Sequence, residues 1–133
     1  MHIKGIIITC VCVFGLCACK ADLIVSDVAV TWNDATQQVN AEIKNIGNAN
    51  AGAFMVYFDG EESPVSPNHR PQVRLQVNGL AKGGSVTLTA DFSPLAHPDN
   101  RNLANVYQIH VAADAKNAVP ESNETNNDRR ASL

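Results

Sequence analysis

The sequence predicts an all-β fold, a sandwich of about seven antiparallel strands, on three observations. Apolar and polar residues alternate with a period of two wherever the chain is ordered by hydrophobicity, and no stretch after Lys20 sustains a helical period. Clusters of Gly, Pro, Asn and Asp punctuate those runs at short intervals. With 133 residues, 45% of them hydrophobic and 5% aromatic, the chain suits one domain with a modest core of Val, Ile, Leu and Ala. Charged residues make up 17%, too few for a disordered polyelectrolyte. Ten basic against thirteen acidic residues, net −3, argue against an electrostatic nucleic-acid binder.

The elements follow in order. Leu23 and Val25 alternate with Ile24 and Ser26; Asp27 interrupts; then Val28, Val30 and Trp32 alternate with Ala29 and Thr31. The shift of phase near Ser26-Asp27 predicts a bulge or a strand that changes sheet. Asn33-Asp34-Ala35-Thr36 is a turn. Val39, Ala41 and Ile43 then face inward and Asn40, Glu42 and Lys44 outward, the cleanest amphipathic strand of the chain. A loop from Asn45 to Gly52 leads to Phe54, Val56 and Phe58, inward, with Met55 and Tyr57 on the other face. A long polar loop from Gly60 to Gln72 carries Pro64, Pro67 and Pro71. Val73, Leu75 and Val77 alternate with polar residues. The turn Gly79-Leu80-Ala81-Lys82-Gly83-Gly84 precedes Val86, Leu88 and Ala90. A second irregular loop, Ser93 to Asn102, holds Pro94 and Pro98. Tyr107, Ile109, Val111 and Ala113 make a further inward face. Asp114 to Asn127 is a polar connection, and Arg129 to Leu133 a last short strand. A small barrel is the alternative; barrels of this size show more regular glycine kinks.

All four cysteines, Cys10, Cys12, Cys17 and Cys19, fall in the first nineteen residues. A disulfide framework spreads cysteines through the fold, and a zinc site needs partners at short spacing in the body. The clustering marks a segment apart from the fold. Lys4 precedes an apolar run from Gly5 to Leu16, the shape of a signal peptide and too short for a bilayer span. The run ends Leu16-Cys17-Ala18-Cys19, which resembles the lipobox of bacterial lipoproteins. That resemblance implies cleavage between Ala18 and Cys19 and acylation of Cys19, with palmitate-type chains as a membrane anchor. Cys17 is less usual at its place than Ala or Ser. The boundaries are therefore residues 1–18 as lipoprotein signal peptide and 19–133 as one β-sandwich domain. A plain secretory signal, or a buried apolar helix, is the competing reading. Lys20, rather than Asp, after the acylated cysteine resembles the pattern sent to the outer membrane where the host has two membranes.

No catalytic residue, metal ligand set or cofactor motif emerges. His69 and His97 sit in Pro-containing loops, and His110 lies on the outward face of a strand. None accompanies a nucleophile elbow or a zinc-binding helix pattern. Glu61-Glu62 are adjacent acids on a loop. A glycosidase needs two acids across a groove.

Four stretches stand in order: Asp22-Leu23-Ile24-Val25, Asn45-Ile46-Gly47-Asn48, Gly79-Leu80-Ala81-Lys82-Gly83, and a closing run with Asp114, Asn117, Val119, Glu121, Glu124, Asn126 and Asn127. Together they resemble the pattern of CARDB, the cell-adhesion-related domain found in bacteria. The elements occur in order and cover nearly the whole chain after Cys19. The resemblance implies an immunoglobulin-like β-sandwich of the kind repeated in adhesins or appended to secreted enzymes. The loops Gly60–Gln72 and Ser93–Asn102 depart from the pattern. Independently of the family, Asn and short acids cap backbone groups in tight loops, so the closing run is expected to hold its hairpin in shape. The alternative is calcium, for which these side chains are oxygen donors without the EF-hand spacing.

The expected function is a lipid-anchored, non-enzymatic module of the cell envelope that engages another envelope protein or a polysaccharide. The second reading is a structural envelope lipoprotein whose C-terminal hairpin is stabilised by calcium. Recognition is expected on the two departing loops or along the edge of the last strand. Met55 and Tyr57 are expected to pack under the long loop, an exposed apolar patch there being the alternative.

Overall fold

The computed structural model describes residues 19–32, 37–62, 71–93, 103 and 106–133. Among them are seven strands: β1 (Leu23–Trp32), β2 (Gln37–Asn45), β3 (Phe54–Glu62), β4 (Gln72–Val77), β5 (Ser85–Asp91), β6 (Val106–Ala113) and β7 (Asp128–Ser132). They form two antiparallel sheets, ordered β1-β2-β5 and β4-β3-β6-β7. This is the expected all-β sandwich.

Alternation places the core between the sheets. On β2, Val39, Ala41 and Ile43 are fully buried while Asn40 and Glu42 are half-buried and Lys44 is exposed. On β3, Phe54, Val56 and Phe58 are buried, and Met55 and Tyr57 lie half-buried on the other face. Leu23, Ile109, Val111, Phe92 and Leu103 complete the interior. Burial of each such large side chain stabilises by about 1.5–3 kcal/mol. Val28, Val30, Leu75, Val86 and Leu88 pack partly against this core.

The phase shift near Ser26 is a bulge. β1 pairs with β2 on both sides of it, and the register slips between Val25 and Asp27. One inward expectation fails: Tyr107 is 50% exposed. At the start of β6 the register against β3 also slips, so that Glu61 faces Gln108 but Glu62 faces Val106. Tyr107 is passed over, Val106 takes the buried position, and the normal alternation resumes at Ile109. The slip, set by the pairing with β3, moves the buried position from the expected Tyr107 to Val106.

β2 defines the long axis. Asn45, its last residue, lies beside Asp22, Leu80 and Gly84. Gln37, its first, lies beside Phe92, Ser93 and Leu103. Nine extended residues separate these two ends by roughly 27 Å. Strand directions then sort the connections. Cys19, residues 46–53, residues 78–84 and residues 114–127 gather at the Asn45 end, while Glu62, Pro71, Ser93 and Leu103 lie at the Gln37 end. The turn 33–36 and most of the two Pro-containing loops, with His69 and His97, lie outside the described residues.

Candidate functional site

The Asn45 end is closed by a polar clasp built from the two ends of the described chain. The entering segment is stitched down from its first residues. Lys20 C=O accepts the N–H of Asn48 at 2.9 Å, Ala21 C=O that of Ser122 at 3.0 Å, and Asp22 C=O that of Ile46 at 2.8 Å. Ala21 also forms an isolated parallel bridge with Glu121. Gly47 lets these backbones approach: a Cβ there would lie 2.4 Å from both the Asp22 nitrogen and the Lys20 oxygen. Only glycine fits so close a crossing.

Asn45 is the hub of the entering loop, 1% exposed with all its amide capacity used. Its Oδ1 accepts from Asp22 N–H and Gly47 N–H, both at 3.1 Å. Its Nδ2 donates to Ala49 C=O at 2.8 Å and Leu80 C=O at 3.1 Å. The sequence placed Asn45 in a turn but gave no sign of this role, because its partners lie up to 35 residues away.

Asp114 ends β6 in the left-handed region, at φ 54°, as does Asn117 at φ 51°. Asp and Asn tolerate that conformation better than other side chains. Asp114 is buried, and its carboxylate accepts the N–H groups of Ala118 (2.8 Å) and Val119 (3.0 Å). Glu121 is buried too. One oxygen accepts the N–H of Leu23 at 2.6 Å; the other accepts from Asn127 Nδ2. Exposed Glu124 accepts the Glu121 N–H at 3.0 Å, and Asn126 Nδ2 donates to Asp22 at 2.9 Å. The expected capping role of the closing run is thus borne out, and Asp114 shares in it.

Burial pushes the Glu121 carboxyl up from near 4.5 to about 7, the adjacent Glu124 adding to the rise against the hydrogen bonds from Leu23 and Asn127. Ligand atoms of Asp114, Glu121 and Glu124 lie within 4.8 Å of one another.

The other expected features stand apart from the clasp. His110 on β6 meets Asp128 at 2.7 Å, a pair on the sheet surface. Glu61 accepts from Gln108 and Arg130, which hold its carboxyl below the usual range. Tyr57 is covered by the Arg74 guanidinium, 4.4 Å above its ring. β7 is an edge strand, paired with β6 alone.

The two antiparallel sheets, closed at one end by the clasp, define an all-β sandwich module. The chain belongs to the CARDB family, whose model matches residues 20–131. Among solved structures it is similar to the CARDB domain of a Pyrococcus furiosus protein in complex with di-metal ions, at 18% identity and TM-score 0.61, covering 86% of this chain and 87% of that one. It is also similar to part of β-glucosidase 3B from Thermotoga neapolitana, at 18% identity and TM-score 0.47. That match covers 85% of this chain but only 17% of the enzyme. Comparison with curated proteins finds no match.

Proposed function

We propose that the protein is a lipid-anchored module of the cell envelope, without catalysis of its own, that engages another envelope protein or a polysaccharide through the end of the sandwich opposite its anchor. The observation that carries this reading is the placement of Cys19 against the two family-departing loops. The acylation candidate enters the sandwich at the Asn45 end. The described flanks of both loops, Glu62 and Pro71, Ser93 and Leu103, sit at the Gln37 end, roughly 27 Å away. An anchor at one end leaves the other free to present loops on a rigid scaffold, where recognition commonly resides.

Backbone pairing begins at Lys20, so an acyl group on Cys19 would hold the domain against the bilayer with almost no tether. Several buried acyl chains, at about 0.8 kcal/mol per CH₂, anchor firmly. Cys19 is disulfide-bonded in this structure. Reduction of that disulfide by a cellular thiol frees the Cys19 sulfur for a thioether, and cleavage after Ala18 then removes every other cysteine of the sequence. In a host with two membranes, Lys20 favours the outer one.

The test is mild crosslinking of the native membranes, compared with a chain whose residues 63–70 and 94–102 are replaced by Gly-Ser turns. One stoichiometric envelope protein, lost with the replacements, supports a protein partner; retention of an intact cell-wall glycan, lost likewise, supports a polysaccharide. Binding of either kind that survives both replacements overturns the placement of the binding end.

A further inference from the structure

The clasp carries more acid than capping requires. Asp114 is 1% exposed and Glu121 5%, and with Glu124 they bring three carboxylates to one place. Among the described residues no Lys, Arg or His is ion-paired with any of them; the ion pairs lie elsewhere, at Glu42, Glu61 and Asp128. Buried carboxylates without a counter-charge are costly.

A second observation points to what is missing. Asn127 is 8% exposed, and its Oδ1 is buried with no hydrogen-bond partner. Buried amide oxygens are nearly always paired. The same amide donates through Nδ2 to Glu121, so its Oδ1 cannot lie farther than roughly 5 Å from that carboxylate. The unused acceptor therefore borders the acid cluster.

We propose that Asp114, Glu121, Glu124 and the Asn127 carbonyl hold a hard divalent cation of the Ca²⁺ kind. The donor set is oxygen throughout, without the imidazole or thiolate that softer metals choose. Oxygens bound to one Ca²⁺ at about 2.3–2.6 Å cannot be more than about 5 Å apart, and the three carboxylate ligand atoms meet that limit at 4.8 Å. Each carboxylate oxygen that accepts an N–H keeps a second lone pair for the metal. Because Glu121 also holds Leu23 N–H, the cation would tie β1 to the closing loop. This inference stands independently of the lipid anchor and of any partner.

The test is calorimetric titration of the full chain with CaCl₂ after EDTA treatment, together with thermal melts. The expected result is saturable binding with a midpoint of about 0.1–1 mM, the range of extracellular modules, and a Tm that rises with Ca²⁺. Glu124→Gln keeps an oxygen for the Glu121 N–H and is expected to weaken binding about tenfold or more, with the Tm in EDTA preserved. Asp114→Asn, which tolerates the left-handed backbone, is the second variant and should weaken binding likewise, with a lower Tm in EDTA because its Nδ2 faces one of the two N–H groups that the Asp114 carboxylate accepts. The site is overturned by absence of saturable heat up to about 10 mM Ca²⁺. It is equally overturned by a Tm rise that NaCl reproduces at matched ionic strength, or by unchanged affinity in both variants.

Discussion

The Glu121 carboxylate accepts the backbone N–H of Leu23 at 2.6 Å, joining residues 98 positions apart in the chain. Its other oxygen takes the Asn127 amide. One buried side chain thus satisfies the first strand and the closing loop together. Glu121→Ala leaves both donors unpaired and is expected to cost about 2–4 kcal/mol. Glu121→Gln keeps an acceptor for Leu23 and should cost less than half as much. Urea unfolding of the two variants checks the order.

The raised Glu121 pKa gives folding a pH dependence. Between the ordinary value near 4.5 and the folded value of about 7, the folded chain holds a proton that the unfolded chain has released. This contribution is fully present below pH 4.5 and is lost as pH rises through about 7. Unfolding measured in EDTA across that window should show stability falling with pH, and Glu121→Gln should remove that component of the slope.

Gly47 and Gly52 make a controlled pair. A Cβ at Gly47 meets the backbone of Lys20, Ala21 and Asp22 at 2.4–2.5 Å, whereas one at Gly52 meets nothing within 4 Å. Gly47→Ala is expected to destabilise by about 3 kcal/mol or more, since backbone must move. Gly52→Ala should be neutral or stabilise by up to about 1 kcal/mol. Thermal melts of both variants decide whether the entering segment is clamped as described.

Asn45 carries four hydrogen bonds in a fully buried place. Asn45→Asp keeps the acceptor but points a carboxylate at the carbonyls of Ala49 and Leu80. It should destabilise by about 3 kcal/mol or more, as a buried unpaired charge does. Asn45→Ala should cost about 2–4 kcal/mol. Denaturant midpoints at one pH compare them.

The strands were legible because their information is local. Alternation of two marked Val39, Ala41 and Ile43, and the interruption at Asp27 marked the bulge in β1. Tyr107 was misplaced because a register slip is settled by the neighbouring strand, Glu61 and Glu62 of β3, which the β6 sequence does not contain. In the clasp, residue types announced capping. That Glu121 reaches Leu23, or Asn45 reaches Leu80, is a property of the fold, since those partners meet only when the sheets are stacked. Met55 and Tyr57 are half-buried, and Arg74 lies over the Tyr57 ring from the adjacent strand β4.

The anchored orientation is tested most directly by the mass of the N-terminal peptide of the chain extracted from its native membranes. A chain that begins at Cys19, with diacylglycerol on its sulfur, is the predicted result. A chain that retains residues 1–18, or begins at Cys19 with an unmodified or disulfide-bonded sulfur, would contradict it.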